Sequence, residues 1–305
     1  MSEDNEALSC CASCGITELD DVKLVPCDGC DLVKYCGDDC RELHRPEHDE
    51  QCKKRAAELR DELLFKQPES THLGDCPICS LPMPIDRSKS GMYMCCSKFI
   101  CDGCNQANQM REFRMRLRSS CPFCRKSLPE TQEERDKLNV KRVEANDPFA
   151  IYQEGDKQCD SGDYRSAFEY FTEAAELGDL ESHSKLSGLY IAGLGVEKDK
   201  GKAIHHLEEA AIGGHPGARY ILGILEWETG RKERAVKHWT IAARQGEDHA
   251  IKELLKIFKQ GHLEKEKLAN ALRAHKAAVD ATKSPQRDNA EIVKTILRRE
   301  AAEKE

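Results

Sequence analysis

The stretch Ala203-Ile204-His205-His206-Leu207-Glu208-Glu209-Ala210-Ala211-Ile212-Gly213-Gly214 has apolar residues at offsets 0, 1, 4, 7 and 8 and a glycine at offset 11. That is one face of an α-helix with a glycine stop at its C-terminal end. The pattern occurs twice more, as Ala167-Phe168, Phe171, Ala174-Ala175, Gly178 and as Ala235-Val236, Trp239, Ala242-Ala243, Gly246. The period is 36 residues from Ala175 to Ala211 and 32 from Ala211 to Ala243. A second helix follows each glycine, marked by Ser182/Leu186/Leu189, Ala218/Leu222/Leu225 and Ala250/Leu254/Ile257. The difference in period falls in the loop 193–197, which is shortened at Thr229-Gly230. Two helices per repeat predict a helical solenoid in which small alanines let neighbours approach closely. A half-repeat is expected around Ala150–Gly155. Residues 263–282 read as a capping helix with Leu268, Ala271, Leu272 and Ala278 inward. From Ser284 the chain is charged and is expected to fray or form an isolated helix.

Working outward, the 305 residues carry 47 Lys+Arg against 55 Asp+Glu, a net charge of -8. That balance argues against a general nucleic-acid binder. Only 39% of residues are apolar and 6% aromatic, which is thin for one large core and favours several small units. No apolar run approaches the ~20 residues of a membrane span, so a membrane is not an expected partner. The start, Met1-Ser2-Glu3-Asp4-Asn5-Glu6, lacks the pattern of a secretory signal. We therefore expect an intracellular protein, cytoplasmic or nuclear, in a compartment where disulfides are rare.

All but one of the 17 cysteines, Cys159, lie at or before Cys124. In a reducing compartment such a set reads as a metal framework. Residues 11–52 form four ligand pairs: Cys11/Cys14, Cys27/Cys30, Cys36/Cys40 and His48/Cys52. Eight ligands serve two zinc ions, and closed four-ligand shells mean structural rather than catalytic metal. The spacing from Cys36 to Cys52 suits a short helix. The segments Lys34-Tyr35-Cys36-Gly37-Asp38-Asp39-Cys40-Arg41-Glu42-Leu43-His44 and Pro46-Glu47-His48-Asp49-Glu50-Gln51-Cys52 resemble the MYND zinc finger. The resemblance implies interleaved sites, with Cys11, Cys14, Cys36 and Cys40 on one ion and Cys27, Cys30, His48 and Cys52 on the other. Arg45 stands where the family often has tryptophan. Cys10 reads as a surface thiol and His44 as a helix histidine, each a competitor for a neighbouring site.

Residues 76–124 repeat the logic: Cys76-Pro77-Ile78-Cys79, then Cys95-Cys96 and Cys101-Asp102-Gly103-Cys104, then Cys121-Pro122-Phe123-Cys124. This order resembles a RING finger. The family's usual histidine falls at Lys98, and a protonated lysine has no lone pair for zinc. One ion takes Cys76, Cys79, Cys101 and Cys104; the other has Cys96, Cys121 and Cys124 and needs a fourth ligand. Cys95 is the nearest candidate, with His72, or a single well-occupied zinc, as alternatives. The resemblance further implies that Ile78, Pro122 and Arg125 would dock a ubiquitin-conjugating enzyme, which would make the chain a RING-type ubiquitin ligase. No cysteine is left as a nucleophile. The helix from Asn105 to Arg118, with Met110, Phe113 and Leu117 at helical spacing, reads as a solvated basic face.

Ala174-Ala175-Glu176-Leu177-Gly178, with Gly193, Gly195-Val196, Asp199 and Ala203, resembles Sel-one-like repeats of the tetratricopeptide type. The expected architecture is small zinc-stabilised α+β modules followed by an all-α helical-repeat solenoid. In order, 1–10 is a disordered N-terminus, 11–52 the first finger, 53–70 a helical linker and 71–127 the second finger. A linker at 128–147, helical between Pro129 and Pro148, leads to repeats with a capping helix at 148–283 and a charged tail at 284–305. The expected role is an intracellular, zinc-binding protein-interaction adaptor, with ubiquitin ligation as the alternative.

Overall fold

The computed structural model describes residues 9–18 and 21–302; most of the expected N-terminal disorder lies outside them. The chain divides into two compact units, Met1–Lys66 and Gln67–Glu305. A small cysteine-rich module with few strands opens the chain, and a helical-repeat solenoid fills its C-terminal half.

In the first unit, β1 (Val25–Pro26) pairs antiparallel with β2 (Lys34–Tyr35). Both precede α1 (Asp38–Phe65), a helix of 28 residues. Asp38 and Asp39 sit in its first turn, where the helix dipole favours negative charge. The sequence suggests a short finger helix and a separate linker helix, but the two are one rod. Nothing between Cys52 and Phe65 breaks a helix, and Pro46 is accommodated inside it. The Arg55 guanidinium braces the rod by donating to both carboxylate oxygens of Asp31, at 2.7 and 2.8 Å. Tyr35, Leu24 and Cys11 form the small buried centre.

The second unit begins with a hairpin of β3 (Ser90–Tyr93) and β4 (Lys98–Cys101), followed by α2 (Asp102–Met115). Met83, Tyr93, Ile100 and four cysteines make up its core. Next comes α3 (Gln132–Glu144), opened by a Thr131/Glu134 capping box. Pro148 does not close this helix. It is the first residue of α4 (Pro148–Ser161), whose N-cap is Asp147.

The solenoid continues with α5 (Tyr164–Glu176), α6 (Leu180–Ala192), α7 (Lys200–Ile212), α8 (Pro216–Glu228), α9 (Lys232–Arg244), α10 (Asp248–Lys259) and α11 (Lys265–Ala281). Aspartates 147, 163, 179 and 199 cap α4 to α7 by accepting backbone N–H groups. Gly178, Gly214 and Gly246 follow α5, α7 and α9 with φ of 90°, 89° and 93°, as the glycine stop requires. The tightest hairpins are α4/α5, α6/α7 and α8/α9. The repeat unit is therefore phased one helix earlier than the alanine pattern suggests, and the expected half-repeat is a whole helix, α4. Ala167, Ala174, Ala203, Ala210, Ala211, Ala235, Ala242 and Ala243 are all fully buried. Leu268 and Ala271 of α11 face the stack, whereas Leu272 is exposed, contrary to expectation.

The tail is neither frayed nor isolated. It forms α12 (Pro285–Ala302), which packs on α2 of the cysteine module. A Cβ on Gly103 would sit 2.9 Å from the Arg287 backbone nitrogen, so that position must stay bare for α12 to seat. Ala290 is buried in this contact. The Arg287 guanidinium donates to the carbonyls of Pro82 (2.7 Å) and Leu81 (3.2 Å), and the Lys294 ammonium reaches Asp102 at 2.5 Å.

Candidate metal centres

Four sets of cysteine-bearing side chains converge so that all donor atoms within a set lie inside 4.8 Å of one another. They are Cys11, Cys14, Cys36 and Cys40; Cys27, Cys30, His48 and Cys52; Cys76, Cys79, Cys101 and Cys104; and Cys95, Cys96, Cys121 and Cys124. In each module the first and third ligand pairs share one centre and the second and fourth the other. The chain is thus cross-braced, and neither centre can form without closing the loop that holds its neighbour.

Zinc–sulfur bonds of ~2.3 Å set tetrahedral ligand sulfurs about 3.8 Å apart. The separations here are 3.6 Å for Cys14–Cys36 and Cys36–Cys40, 3.7 Å for Cys27–Cys52, 3.8 Å for Cys79–Cys101 and 3.7 Å for Cys96–Cys121. His48 Nε2 lies 3.2 Å from Cys30 Sγ. All 17 cysteines are free thiols, so no disulfide competes for them.

The electrostatics of each set also call for a cation. Burial raises Cys11, yet the backbone N–H groups of Cys14, Cys36 and Ser13 aimed at its sulfur bring it down to about 6. Hydrogen bonding from Cys101 draws Cys76 down to about 4. The neighbours move the other way: Cys36 is pushed up to about 12 by sharing protons with Cys40 and Cys14, and burial pushes Cys104 to about 12. Three or four thiolates crowded into such a space repel one another, and a divalent ion would offset that repulsion.

The doublet Cys95-Cys96 sits in the turn between β3 and β4. Ser97 next to it takes a left-handed backbone, φ 55°, which lets both sulfurs turn to one side. Cys95 Sγ is 3.3 Å from Cys124 Sγ. The Ser97 hydroxyl is held by Asp147 and by Arg142 Nε (3.1 Å), so the start of the solenoid fixes this turn. Lys98 lies outside the set, its ammonium over the Phe123 ring. Cys10 is exposed and outside the first set. His44 also stays outside: it meets the Tyr35 hydroxyl at 3.1 Å and stacks on His48 at 5.6 Å, orienting that ring.

His72 belongs to none of the cysteine sets. It joins Glu181 and His215 in a cluster that the sequence does not reveal, because its members are 109 and 34 residues apart. His72 Nε2 is 2.9 Å and His215 Nε2 3.3 Å from Glu181 Oε1, and the Arg87 guanidinium is 2.8 Å from the same oxygen. Although the trio has metal-binding residue types, its chemistry fits an ion-pair node better. His215 Nδ1 accepts the Ala218 N–H as a helix cap, so a neutral ring carries its proton on Nε2, the atom facing Glu181. The two rings lie stacked, 4.4 Å apart at 15°, and bring both Nε2 atoms to the one Glu181 oxygen that the Arg87 guanidinium already neutralises. Burial opposes ionisation of Glu181, but the hydrogen bonds of His215 and His72 and the Arg87 charge hold it far below the usual carboxylate range. His72, buried, is pushed down and stays neutral. The node ties the cysteine module (Arg87) and the segment before it (His72) to α6 and α8. The His72 N–H donates to the Gly214 carbonyl at 3.1 Å beside it.

On the rims of the second module, Ile78 and Arg125 are exposed and Pro122 is half-buried. None of the three side chains belongs to a donor set.

Family models agree with this architecture. A MYND finger model matches residues 11–52, and a Sel1 repeat model matches 150–179, 180–215 and 219–247. The chain is 30% identical over 106 residues to chitin synthase regulatory factor 4 of Schizosaccharomyces pombe, covering 34% of this chain and 17% of that protein. It is 32% identical over 111 residues to the chitin synthase regulator SKT5 of Saccharomyces cerevisiae, covering 33% and 16%. The chain thus spans about a sixth of the length of these relatives. Among solved structures, a Sel1 repeat protein from Oxalobacter formigenes aligns with a TM-score of 0.43 and 29% identity, over 49% of this chain and 66% of that one. The Escherichia coli protective antigen c5321, described as having an SLR fold, aligns with a TM-score of 0.39 and 20% identity, over 54% and 36%. The chain carries a zinc-binding MYND finger at 11–52 and three Sel1 repeats between 150 and 247.

Proposed function

We propose that this protein is a zinc-dependent protein-interaction adaptor holding four structural zinc ions, two in each cysteine module, with the four sets above as their ligands. The convergence of the sixteen donors into four sets of tetrahedral dimensions carries the reading. Closed shells leave no position for substrate, so the metal's work is to fold modules too small to fold by burial alone, worth about 10–16 kcal/mol in comparable domains. The solenoid supplies an extended surface for a partner, and linkage of two binding modules raises joint affinity. A free-thiol framework suits a reducing compartment, the cytoplasm or nucleus. The two fungal relatives are regulators by name, which supports an adaptor over an enzyme.

A zinc count on purified full-length protein tests the ligand sets. We expect four ions per chain, falling to three in Cys95→Ser. An unchanged count in that variant removes Cys95 as a ligand, and a metal-free native chain overturns the whole reading. The adaptor role predicts two separable sets of co-purifying proteins, one lost in Cys27→Ser and the other on charge reversal across the solenoid face.

A second reading is a RING-type ubiquitin ligase. It is favoured by the exposure of Ile78 (44%) on the first zinc loop and of Arg125 after the last. Autoubiquitination across a panel of conjugating enzymes, abolished by Ile78→Ala and Arg125→Ala, is its expected signature. No transfer with any of them leaves the adaptor alone.

A further inference from the structure

The segment Met110-Arg111-Glu112-Phe113-Arg114-Met115-Arg116-Leu117-Arg118 has no part in the metal centres or the solenoid joint. It is the C-terminal end of α2 and the chain reversal after it, where Arg116 adopts a left-handed backbone. Its apolar side chains project into solvent: Met110 is 46% exposed, Phe113 81%, Met115 62% and Leu117 50%. Folding does not need them there. The acid that could neutralise this stretch is withdrawn from it, since Glu112 is buried and accepts the Ser120 N–H and hydroxyl at 3.1 and 2.7 Å. The arginines between the apolar residues are exposed. Arg114, Arg116 and Arg118 have no ion-pair partner among the described residues, and Arg111 donates only to the neutral Asn108. Arg125 and Lys126 lie alongside, because Ser127 bridges Ser120 and the Cys121 N–H donates to the Lys126 carbonyl. From Asn105 to Pro129 there are six Arg and Lys and the one acid, Glu112, in a chain of net charge -8.

We propose that this tip is a membrane-contact surface that seats on an anionic bilayer, with the arginines on lipid headgroups and Phe113, Met115 and Leu117 entering the interface. Contiguous basic and apolar side chains at one surface are what interfacial binding uses. The unpaired arginines call for an anionic partner, and three features favour a bilayer. The apolar groups protrude from a helix end and a turn rather than lining a groove; a cavity of about 750 Å³ in the same unit lies elsewhere, against Gln67–Asp86 and Arg244–His249. A bilayer interface takes up protruding groups of any shape. A nucleic acid would use the arginines and stack on Phe113, but offers nothing to Met110, Met115 and Leu117. Among the described residues no helix is long and apolar enough to cross a membrane, and this contact needs none. The sequence expectation of no membrane partner rested on spans alone.

The test is vesicle flotation of zinc-loaded full-length protein. Vesicles of phosphatidylcholine with about 30 mol% phosphatidylserine are compared with phosphatidylcholine alone, at about 0.15 M and about 0.5 M salt. We expect flotation with the anionic vesicles only, weakened by salt. Each arginine removed should weaken partitioning roughly fivefold, so Arg114→Gln with Arg118→Gln should cost about 25-fold. Phe113→Ser should also release the protein. All three positions are exposed, and an unchanged zinc count and helical circular dichroism show that the variants still fold. The proposal is overturned if the protein does not float, floats equally with neutral vesicles, or floats undiminished in the double variant. It is equally overturned if the arginine variants lose binding to poly(U) RNA or polyglutamate while vesicles are never bound; the patch then belongs to a nucleic acid or to an acidic protein.

Discussion

Histidine 238 on α9 is fully buried, and burial together with the Arg219 and Arg234 charges lowers it to about 3. Burial likewise lowers His206 to about 4, with His183 3.0 Å away also lowered. The native chain thus refuses protons that the unfolded chain takes up below about 6.5. For depressed histidines, stability is whole above that value and declines as pH falls toward the native values of about 4 and about 3. We expect the urea midpoint of the solenoid to fall steadily from about pH 7 to about pH 5, and His238→Gln to flatten part of that fall. A midpoint independent of pH across that window would show that these rings are not held neutral by the fold. None of this was legible in the sequence, where the repeat histidines lack metal spacing and look like surface residues. The cysteine pairs were legible, because a tetrahedral ion imposes a two-residue spacer on the chain itself. The Cys95-Cys96 doublet required the left-handed turn at Ser97, and sequence spacing does not encode it.

At the scale of elements, the alanine pattern gave the helices, their glycine stops and the loop that absorbs the change of period. It did not give the phase. A helix's strongest partner is the one across its hairpin, and an alanine stripe reads the same whether that partner precedes or follows. Two glycines separate packing from propensity. A Cβ on Gly155 of α4 would lie 2.6 Å from the Phe171 ring of α5, whereas one on Gly188 of α6 meets nothing within 4 Å. Gly155→Ala should therefore destabilise the solenoid by about 1–3 kcal/mol through overpacking. Gly188→Ala should stabilise it by about 0.5–1 kcal/mol, because alanine loses less backbone entropy in a helix. Thermal melts of the two variants should move in opposite directions; shifts of the same sign would mean that α4 and α5 are not in van der Waals contact here. The docking of α12 was hidden for a different reason. Its hold is Arg287 on main-chain carbonyls and a bare Gly103, and neither leaves a periodic trace, so a charged helix reads as solvated.

Within residues 67–302 the cysteine module and the solenoid are not separate beads. Glu181 gathers Arg87, His72 and His215, Asp147 and Arg142 hold the Ser97 turn, and α12 returns from the end of the stack to cover α2. The metal centres and the repeats should therefore share stability. When a chelator strips the zinc, the second module loses the constraint that forms its core, since Cys76, Cys101, Cys104 and Cys121 are its buried residues along with Met83, Tyr93 and Ile100. The helices of the stack have their own alanine core and should persist, so far-UV ellipticity should fall only in part. Their melting temperature should nevertheless drop, because the loops of residues 72–97 no longer brace the starts of α4, α6 and α8. Glu181→Gln separates the two effects. It leaves every metal ligand in place but removes the charge that Arg87 and the two histidines surround, at a cost of about 1.5–3 kcal/mol for losing a charged hydrogen bond in a partly exposed ion pair. We expect this variant to keep its full zinc content and to melt lower, with less further loss on chelation than the wild type shows. If chelation lowers the solenoid's melting temperature by the same amount in both proteins, Glu181 is not the joint through which the metal centres support the repeats, and the bracing must run through Asp147 and α12 instead.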